Sequence, residues 1–178
     1  MESSVTTLQN VHSWRNTSAR STESNLRQTM KVFLDTNIFL EYFEQRREYE
    51  AVGKLFSAIE ERRLTGVVSV GCIYTLAYLI RMELKRQGIY RPEQTERLRS
   101  LLGIILRLVK AVGVNHQRLK VGAADTSFDD VEDSFQYQSA LQAKCDALVT
   151  INLRDYSGAD TSKIEVLSPG EFVGKYLL

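Results

Sequence analysis

The chain has 178 residues, 43% hydrophobic and 25% charged, which is the composition of one soluble globular domain. Its 23 Lys and Arg nearly balance its 22 Asp and Glu, so any nucleic-acid binding has to use a local patch. Two cysteines, Cys72 and Cys145, and two histidines are too few and too scattered for a zinc site or a disulfide framework. The longest uncharged apolar-rich stretch, residues 67–80, is too short for a membrane span, and we expect a cytoplasmic protein without a membrane anchor.

Residues 1–29 differ from the rest of the chain in composition. They are rich in Ser, Thr, Asn and Arg, and they contain few large apolar residues. Such a segment cannot bury enough apolar surface to offset the entropy lost on ordering. The sequence therefore predicts a disordered N-terminal extension over residues 1–29 and a folded domain over residues 30–178.

Apolar runs and amphipathic segments alternate from Met30 to the end of the chain. Short apolar runs of the kind that form buried strands occur at 32–34, 67–70, 112–114, 147–151 and 164–167. Helical patterns occur at 38–43, 48–64, 73–85, 92–110, 117–123, 129–144 and 169–176. We expect Thr36 or Asn37 to cap the first of these helices, and Gly66 to separate the second helix from the second strand. Continuously apolar strands that alternate with helices predict an α/β fold, with a parallel sheet of about five strands and helices on both faces.

Acidic residues follow two of the predicted strands and open one helix. Asp35 follows the first strand, Asp155 follows the fourth, and four acids lie within residues 129–133. A helix-capping role accounts for Asp129 or Asp130, whereas Asp133 lies one turn further in. If the strands are neighbours, these carboxylates converge and repel one another unless they share protons or bind a cation. Oxygen-only ligands suit Mg²⁺ or Mn²⁺, and such a site fits metal-assisted phosphodiester hydrolysis.

Three segments resemble the PIN-domain nuclease family. They are Val-Phe-Leu-Asp-Thr-Asn at 32–37, Val-Glu-Asp-Ser-Phe-Gln-Tyr at 131–137 and Leu-Val-Thr-Ile-Asn-Leu-Arg-Asp-Tyr at 148–156. Each motif is weak alone, but the three occur in the order and with the spacing of that family. The resemblance covers essentially all of residues 30–178.

The resemblance implies a Mg²⁺- or Mn²⁺-dependent endoribonuclease that cuts single-stranded RNA, often as a toxin held by an antitoxin. By the same resemblance, Asp35, Asp133 and Asp155 are the catalytic metal ligands. The residues expected to support them by orienting ligands or water are Asn37, Glu132, Thr150 and Asn152. Arg154, which lies between Asn152 and Asp155, is placed to meet a substrate phosphate.

The chain departs from the family pattern at one position. Many members carry a Glu on the helix after the second strand, where this chain has Thr75. Glu83 lies two turns further along, roughly 12 Å by helix rise, which is too far to substitute. This departure leaves an alternative open, namely a catalytically weakened PIN-like module that binds RNA or a protein partner.

Two other features bear on partners and on competing functions. Tyr74 and Tyr78, at helical spacing, are more typical of a core or an interface than of a base-stacking platform. The helix over residues 92–110 is apolar on more than one face, and we favour a homodimer or antitoxin surface there. A haloacid dehalogenase-type phosphatase also places Asp after its first strand, but it needs a second Asp where this chain has Asn37.

Overall fold

A five-stranded parallel sheet forms the centre of the molecule. The computed structural model describes residues 29–178. In chain order the strands are β1 (Met30–Leu34), β2 (Leu64–Ser69), β3 (Lys110–Val112), β4 (Ala147–Val149) and β5 (Glu165–Leu167). Their order across the sheet is β3-β2-β1-β4-β5, and every neighbouring pair is parallel. The predicted α/β fold is confirmed.

Helices connect the strands and cover both faces of the sheet. In the described part of the chain they are α1 (Thr36–Phe43), α2 (Tyr49–Glu60), α3 (Val70–Arg86), α4 (Glu93–Leu108), α5 (His116–Ala124), α6 (Val131–Gln142) and α7 (Pro169–Tyr176). A short 3₁₀ helix, Leu153–Tyr156, follows β4. Among the described residues, no helix has the length and apolar character that crossing a membrane requires.

The side chains of β1 show why its apolar run is continuous. Val32 and Leu34 point to one face of the sheet and pack in a large cluster with α1, α2 and α3. Phe33 points to the other face, where it packs in a second cluster with Tyr137 of α6 and Tyr156. A strand covered on both faces has no solvent side, so polar residues cannot alternate along it.

Several predicted boundaries moved in the structure. The second strand was predicted at 67–70, but β2 begins at Leu64 and includes Gly66 in its interior. A Cβ on Gly66 would lie 2.8 Å from Ile59 Cδ1 and 2.9 Å from Val109 Cγ1, so glycine permits close packing here and does not end the strand. The third strand likewise begins at Lys110, because the chain is already extended after α4 ends at Leu108.

The predicted cap of the first helix was wrong. Asp35 occupies the N-cap position of α1, and its side chain makes no capping hydrogen bond. Thr36 and Asn37, the two predicted caps, are the first and second residues of the helix. The carboxylate of Asp35 is directed elsewhere, which is the first sign that it belongs to a site. The predicted extension over residues 1–29 lies outside the described residues except for Thr29, and it stays a prediction.

Candidate active site

Asp35 lies at the carboxyl edge of the sheet, between β1 and α1. Its backbone N–H donates to the Val149 carbonyl of β4 at 3.0 Å, which fixes its position beside the neighbouring strand. Its side chain is 1% exposed and accepts three hydrogen bonds. The donors are Thr150 Oγ1 at 2.7 Å, Gln136 Nε2 at 3.0 Å and Asn37 Nδ2 at 3.3 Å. One buried carboxylate is therefore oriented by residues from three parts of the chain.

Burial dominates the electrostatics of Asp35. Desolvation raises the pKa of Asp35 above its ordinary value, while the hydrogen bonds from Thr150 and Gln136 lower it in part. No Lys or Arg side chain in the described residues forms an ion pair with it. The negative charge is thus held by neutral donors alone, a costly arrangement for a purely structural carboxylate.

Asp133 faces Asp35 from the first turn of α6. Desolvation, followed by the negative charges of Asp35, Asp130 and Asp155, raises the pKa of Asp133 to about 7. Asp133 is therefore close enough to each of these three carboxylates to be repelled by it. Tyr156 Oη donates a long hydrogen bond of 3.4 Å to Asp133 Oδ1. Because burial raises the pKa of Tyr156 well above its usual value, the phenol remains a donor at neutral pH.

The side chain of Glu132, on α6, lies beside Thr75 of α3, the position at which the family pattern expects a carboxylate. Thr75 Oγ1 donates to Glu132 Oε1 at 3.3 Å, so the two helices meet at this point. Burial raises the pKa of Cys72, which lies three residues before Thr75, to about 12, and the charges of Asp35 and Glu132 contribute smaller increases. Glu132 thus occupies the neighbourhood that Thr75 leaves without an acid.

The remaining predicted residues divide into two groups. Thr150 is fully buried, and besides donating to Asp35 it accepts the backbone N–H of Asn152 at 3.0 Å. The side chains of Asn152 and Arg154 are exposed and make no hydrogen bond or ion pair within the described part of the chain. Asp130 is the cap of α6, since its Oδ1 accepts the backbone N–H of Glu132 at 2.8 Å.

Gln136 and Tyr156 are site residues that the sequence reasoning did not assign. Gln136 lies three residues after Asp133, on the same side of α6, and it is only 5% exposed. A buried amide at that spacing from an acid was the available signal. Its Nε2 donates to Asp35, whereas its Oε1 is buried without a hydrogen-bond partner among the described residues. A buried acceptor that lacks a partner and lies beside carboxylates can bind a cation or accept a hydrogen bond from a ligand.

The donor set suits a hard divalent cation by its chemistry. The groups at the site are carboxylate, amide and hydroxyl oxygens, which Mg²⁺ and Mn²⁺ prefer. Within residues 29–178, no three His, Cys, Asp or Glu side chains are arranged so as to hold a metal ion in the present geometry. The excess of negative charge and the unpartnered Gln136 oxygen fit a cation that the present side-chain positions do not yet enclose.

Comparison with known proteins identifies the family. The PIN domain sequence profile matches residues 31–154, a range that includes both Asp35 and Thr150. The chain belongs to the PIN domain family. This assignment leaves the haloacid dehalogenase alternative without support, and it agrees with Asn37 serving as a donor to Asp35.

Two solved structures have the same PIN fold. One is VapBC2 from Rickettsia felis bound to a DNA fragment of its promoter, with a TM-score of 0.57 and 14% identity over 77% of this chain and 97% of that one. The other is a toxin-antitoxin complex from Klebsiella pneumoniae, with a TM-score of 0.50 and 19% identity over 78% of this chain and 97% of that one. No curated protein sequence matches this chain. At these identities the two structures confirm the fold alone.

Proposed function

We propose that this PIN domain is a Mg²⁺- or Mn²⁺-dependent endoribonuclease that hydrolyses single-stranded RNA in the cytoplasm. The observation that supports the proposal is the buried carboxylate of Asp35 at the edge of the sheet, which is close enough to Asp133 to affect its pKa and forms no ion pair with a described Lys or Arg. A buried carboxylate that lacks a cationic partner and lies near a second carboxylate is typical of a cation site.

Each residue has a distinct role in this proposal. Asp35, Asp133 and Asp155 hold the cation, and Thr150, Gln136 and Asn37 fix the orientation of Asp35. A bound Mg²⁺ would polarise the scissile phosphate and lower the pKa of the attacking water. The side chains of Asn152 and Arg154 are exposed and have no partner among the described residues. Asn152 orients water, and Arg154 contacts a substrate phosphate.

Glu132 supplies the fourth carboxylate in place of Thr75. The hydrogen bond of 3.3 Å between the two side chains supports this exchange. The carboxylate that α3 lacks is thus supplied by the first turn of α6. The exchange also argues against the alternative of a catalytically weakened binding module, which rests on Thr75 alone.

We propose further that the protein is the toxin of a toxin-antitoxin pair. The two solved structures that share its fold come from such complexes. Helix α4 offers an apolar surface, because its Leu101, Leu102 and Ile104 are only half-buried and Leu106 is 48% exposed. That surface suits an antitoxin segment or a second copy of the chain in a homodimer.

Cleavage of a labelled single-stranded RNA mixture tests the nuclease proposal. Purified wild-type protein is compared with Asp35→Asn in Mg²⁺, in Mn²⁺ and in EDTA. A matched control is Asp129→Asn, which alters an exposed acid near the site that makes no hydrogen bond in the described residues. We expect metal-dependent cutting by wild type and by the control, and its loss in Asp35→Asn. Binding of RNA without cutting by wild type would establish the weakened module instead.

Two variants that move the carboxylate from α6 to α3 test the role of Glu132. Glu132→Gln removes the carboxylate with little change of shape, and we expect cleavage to fall. Adding Thr75→Glu to that variant returns an acid to the same neighbourhood from α3, and we expect cleavage to recover. Unchanged cleavage by Glu132→Gln would mean that Glu132 is only a solvated residue at the helix N-terminus, and a loss that Thr75→Glu does not reverse would contradict the exchange of positions.

A further inference from the structure

Helix α3 carries a row of exposed tyrosines and cations on the side that faces away from the core. Tyr74 is 73% exposed and Tyr78 is 54% exposed, so neither belongs to the core. Arg81 and Lys85 follow at spacings that place all four side chains within about 60° around the helix axis. We call these four residues the tyrosine stripe. The buried side chains of α3 lie on its opposite face.

The tyrosine stripe begins beside the acidic site. Helix α3 starts at Val70, directly after the carboxyl end of β2, at the same sheet edge as Asp35. Tyr74 precedes Thr75, whose hydroxyl reaches Glu132 at the site. The stripe then extends away from that edge along the helix, and four residues of helix rise separate the two tyrosine rings by about 6 Å.

The charge of the stripe favours a polyanion as its partner. Arg81 lies over the Tyr78 ring at 5.9 Å from the ring centre, and neither Arg81 nor Lys85 forms an ion pair with a described residue. The single acid of α3, Glu83, points to the other side of the helix and pairs with Arg86. A two-fold contact between copies would place this cationic face against itself, which like charges oppose.

We infer that the tyrosine stripe of α3 is the track for the single-stranded RNA substrate, with bases stacked on Tyr74 and Tyr78 and phosphates met by Arg81 and Lys85. Aromatic rings interleaved with cations are the surface that single strands require, because every base has a π face and every nucleotide a charge. The inference rests on the proposed nuclease function and names how the substrate reaches the site.

Binding of a short single-stranded oligoribonucleotide tests the stripe without any cleavage. The full chain is kept in EDTA, and the oligonucleotide carries 2-aminopurine, whose fluorescence is quenched on stacking. We expect Tyr74→Ala and Tyr78→Ala to weaken binding by about 5-fold to about 150-fold each and to remove part of the quenching. Tyr78→Phe keeps a ring and should keep both signals.

Tyr90→Ala is the matched control, since Tyr90 is 61% exposed but lies in the loop after α3. We expect it to bind as wild type does, and circular dichroism checks that each variant is folded. Unchanged RNA affinity in Tyr74→Ala and Tyr78→Ala would overturn the inference. If those two variants instead turned a dimer into a monomer in sedimentation, the stripe would be a contact between copies.

The cleavage assay separates this inference from the nuclease proposal. If wild type cuts RNA but the stripe variants bind it normally, the nuclease stands and the stripe is refuted. If wild type binds without cutting and the stripe variants lose binding, the stripe stands and the nuclease proposal fails. If wild type neither binds nor cuts RNA, both are refuted.

Discussion

The carboxylate of Asp35 depends on Thr150 more directly than on any other side chain in the described site. Thr150 Oγ1 donates to it at 2.7 Å and simultaneously accepts the backbone N–H of Asn152. Thr150→Val keeps the shape but leaves a buried charge with one donor fewer and an N–H without its acceptor. We expect a loss of about 1–3 kcal/mol in the free energy of unfolding, measured by urea denaturation in EDTA.

The matched control for that prediction is Thr150→Ser. Serine keeps the hydroxyl and loses one methyl group, so most of the stability should remain. Equal destabilisation by valine and serine would assign the effect to packing and would contradict a role for the hydroxyl in holding Asp35.

Removing the charge of Asp133 should have the opposite effect and increase the free energy of unfolding. Its pKa in the folded protein is about 7 against an ordinary value of 3.8, so the folded state binds the proton more tightly than the unfolded chain. Wild type therefore loses stability as the pH rises through this interval, because burial, and then repulsion by the neighbouring carboxylates, disfavours ionised Asp133. In EDTA at pH 8 we expect Asp133→Asn to be more stable than wild type, by about 1 kcal/mol after allowance for its partial exposure.

Thermal unfolding at a series of pH values checks the direction of this stability difference and its dependence on pH. The advantage of Asp133→Asn should be absent near pH 4, grow as the pH rises towards 7, and stay level above that. Asp129→Asn, which alters an exposed acid, should show no such trend. A constant difference at every pH would mean that the carboxylate of Asp133 is not under electrostatic strain.

Sequence reasoning at this scale identified acids but not the groups that orient them. Asp35 could be placed because an apolar run ends on it, and Thr150 because the family motif includes it. Gln136 was missed because its one signal in the sequence is its spacing from Asp133, and its burial follows only when α6 packs on the sheet. The metal-binding roles of Asp35, Asp133 and Asp155 stay predictions.

At the scale of elements, sequence patterns were reliable for the existence of helices and strands and poor at their ends. Helix α7 was predicted over 169–176, as observed, and in the structure Ser168 caps it and Pro169 is its first residue. The start of β2 was misplaced because Gly66 signals a break locally, while its actual role is to admit Ile59 and Val109. Contacts between elements decided this boundary, and a single sequence does not contain them.

Gly158 lies where the segment after Asp155 packs against the loop that precedes α6. A Cβ at this position would lie 2.2 Å from the backbone carbonyl oxygen of Ser127, in the loop that precedes α6. Backbone cannot yield as a flexible side chain does, so Gly158→Ala has to separate the loops. We expect a loss of about 1–3 kcal/mol in the free energy of unfolding and weaker cleavage.

Gly174→Ala is the matched control for this prediction. Gly174 lies in α7, and no atom lies within 4 Å of the position that its Cβ would take. Alanine there should stabilise the protein by up to about 1 kcal/mol through helix propensity. Similar effects of the two substitutions in chemical denaturation would show that the contact between Gly158 and Ser127 is not tight.

At the scale of the whole molecule, the strand order creates the site. Strands β1 and β4 are distant in sequence but adjacent in the sheet, so Asp35 and Thr150 meet at one edge. Sequence reasoning could state this only as a condition, because parallel strands give no local sign of which neighbour they choose. The topology brings acids that are distant in sequence to one edge of the sheet, where burial and then repulsion by Asp35, Asp130 and Asp155 disfavour the charge of Asp133.

A cation should therefore stabilise the whole domain. A ligand that binds only the folded state adds about 2.7 kcal/mol when its free concentration is about a hundredfold above its Kd. For a domain of this size, that corresponds to a rise in Tm of about 5–10 °C. We expect Mg²⁺ or Mn²⁺ to raise the Tm of wild type in differential scanning fluorimetry, relative to EDTA and to NaCl at equal ionic strength.

The variants make this expectation specific to the site. Asp35→Asn should remove the metal-induced rise in Tm, because it deletes the most buried carboxylate of the cluster. Asp160→Asn alters an exposed acid that is paired with Lys163, and it should leave the rise unchanged. An equal rise in both variants would mean that the cation screens surface charge in general. Because the readout needs no RNA, the metal site is tested even in a protein that does not cut.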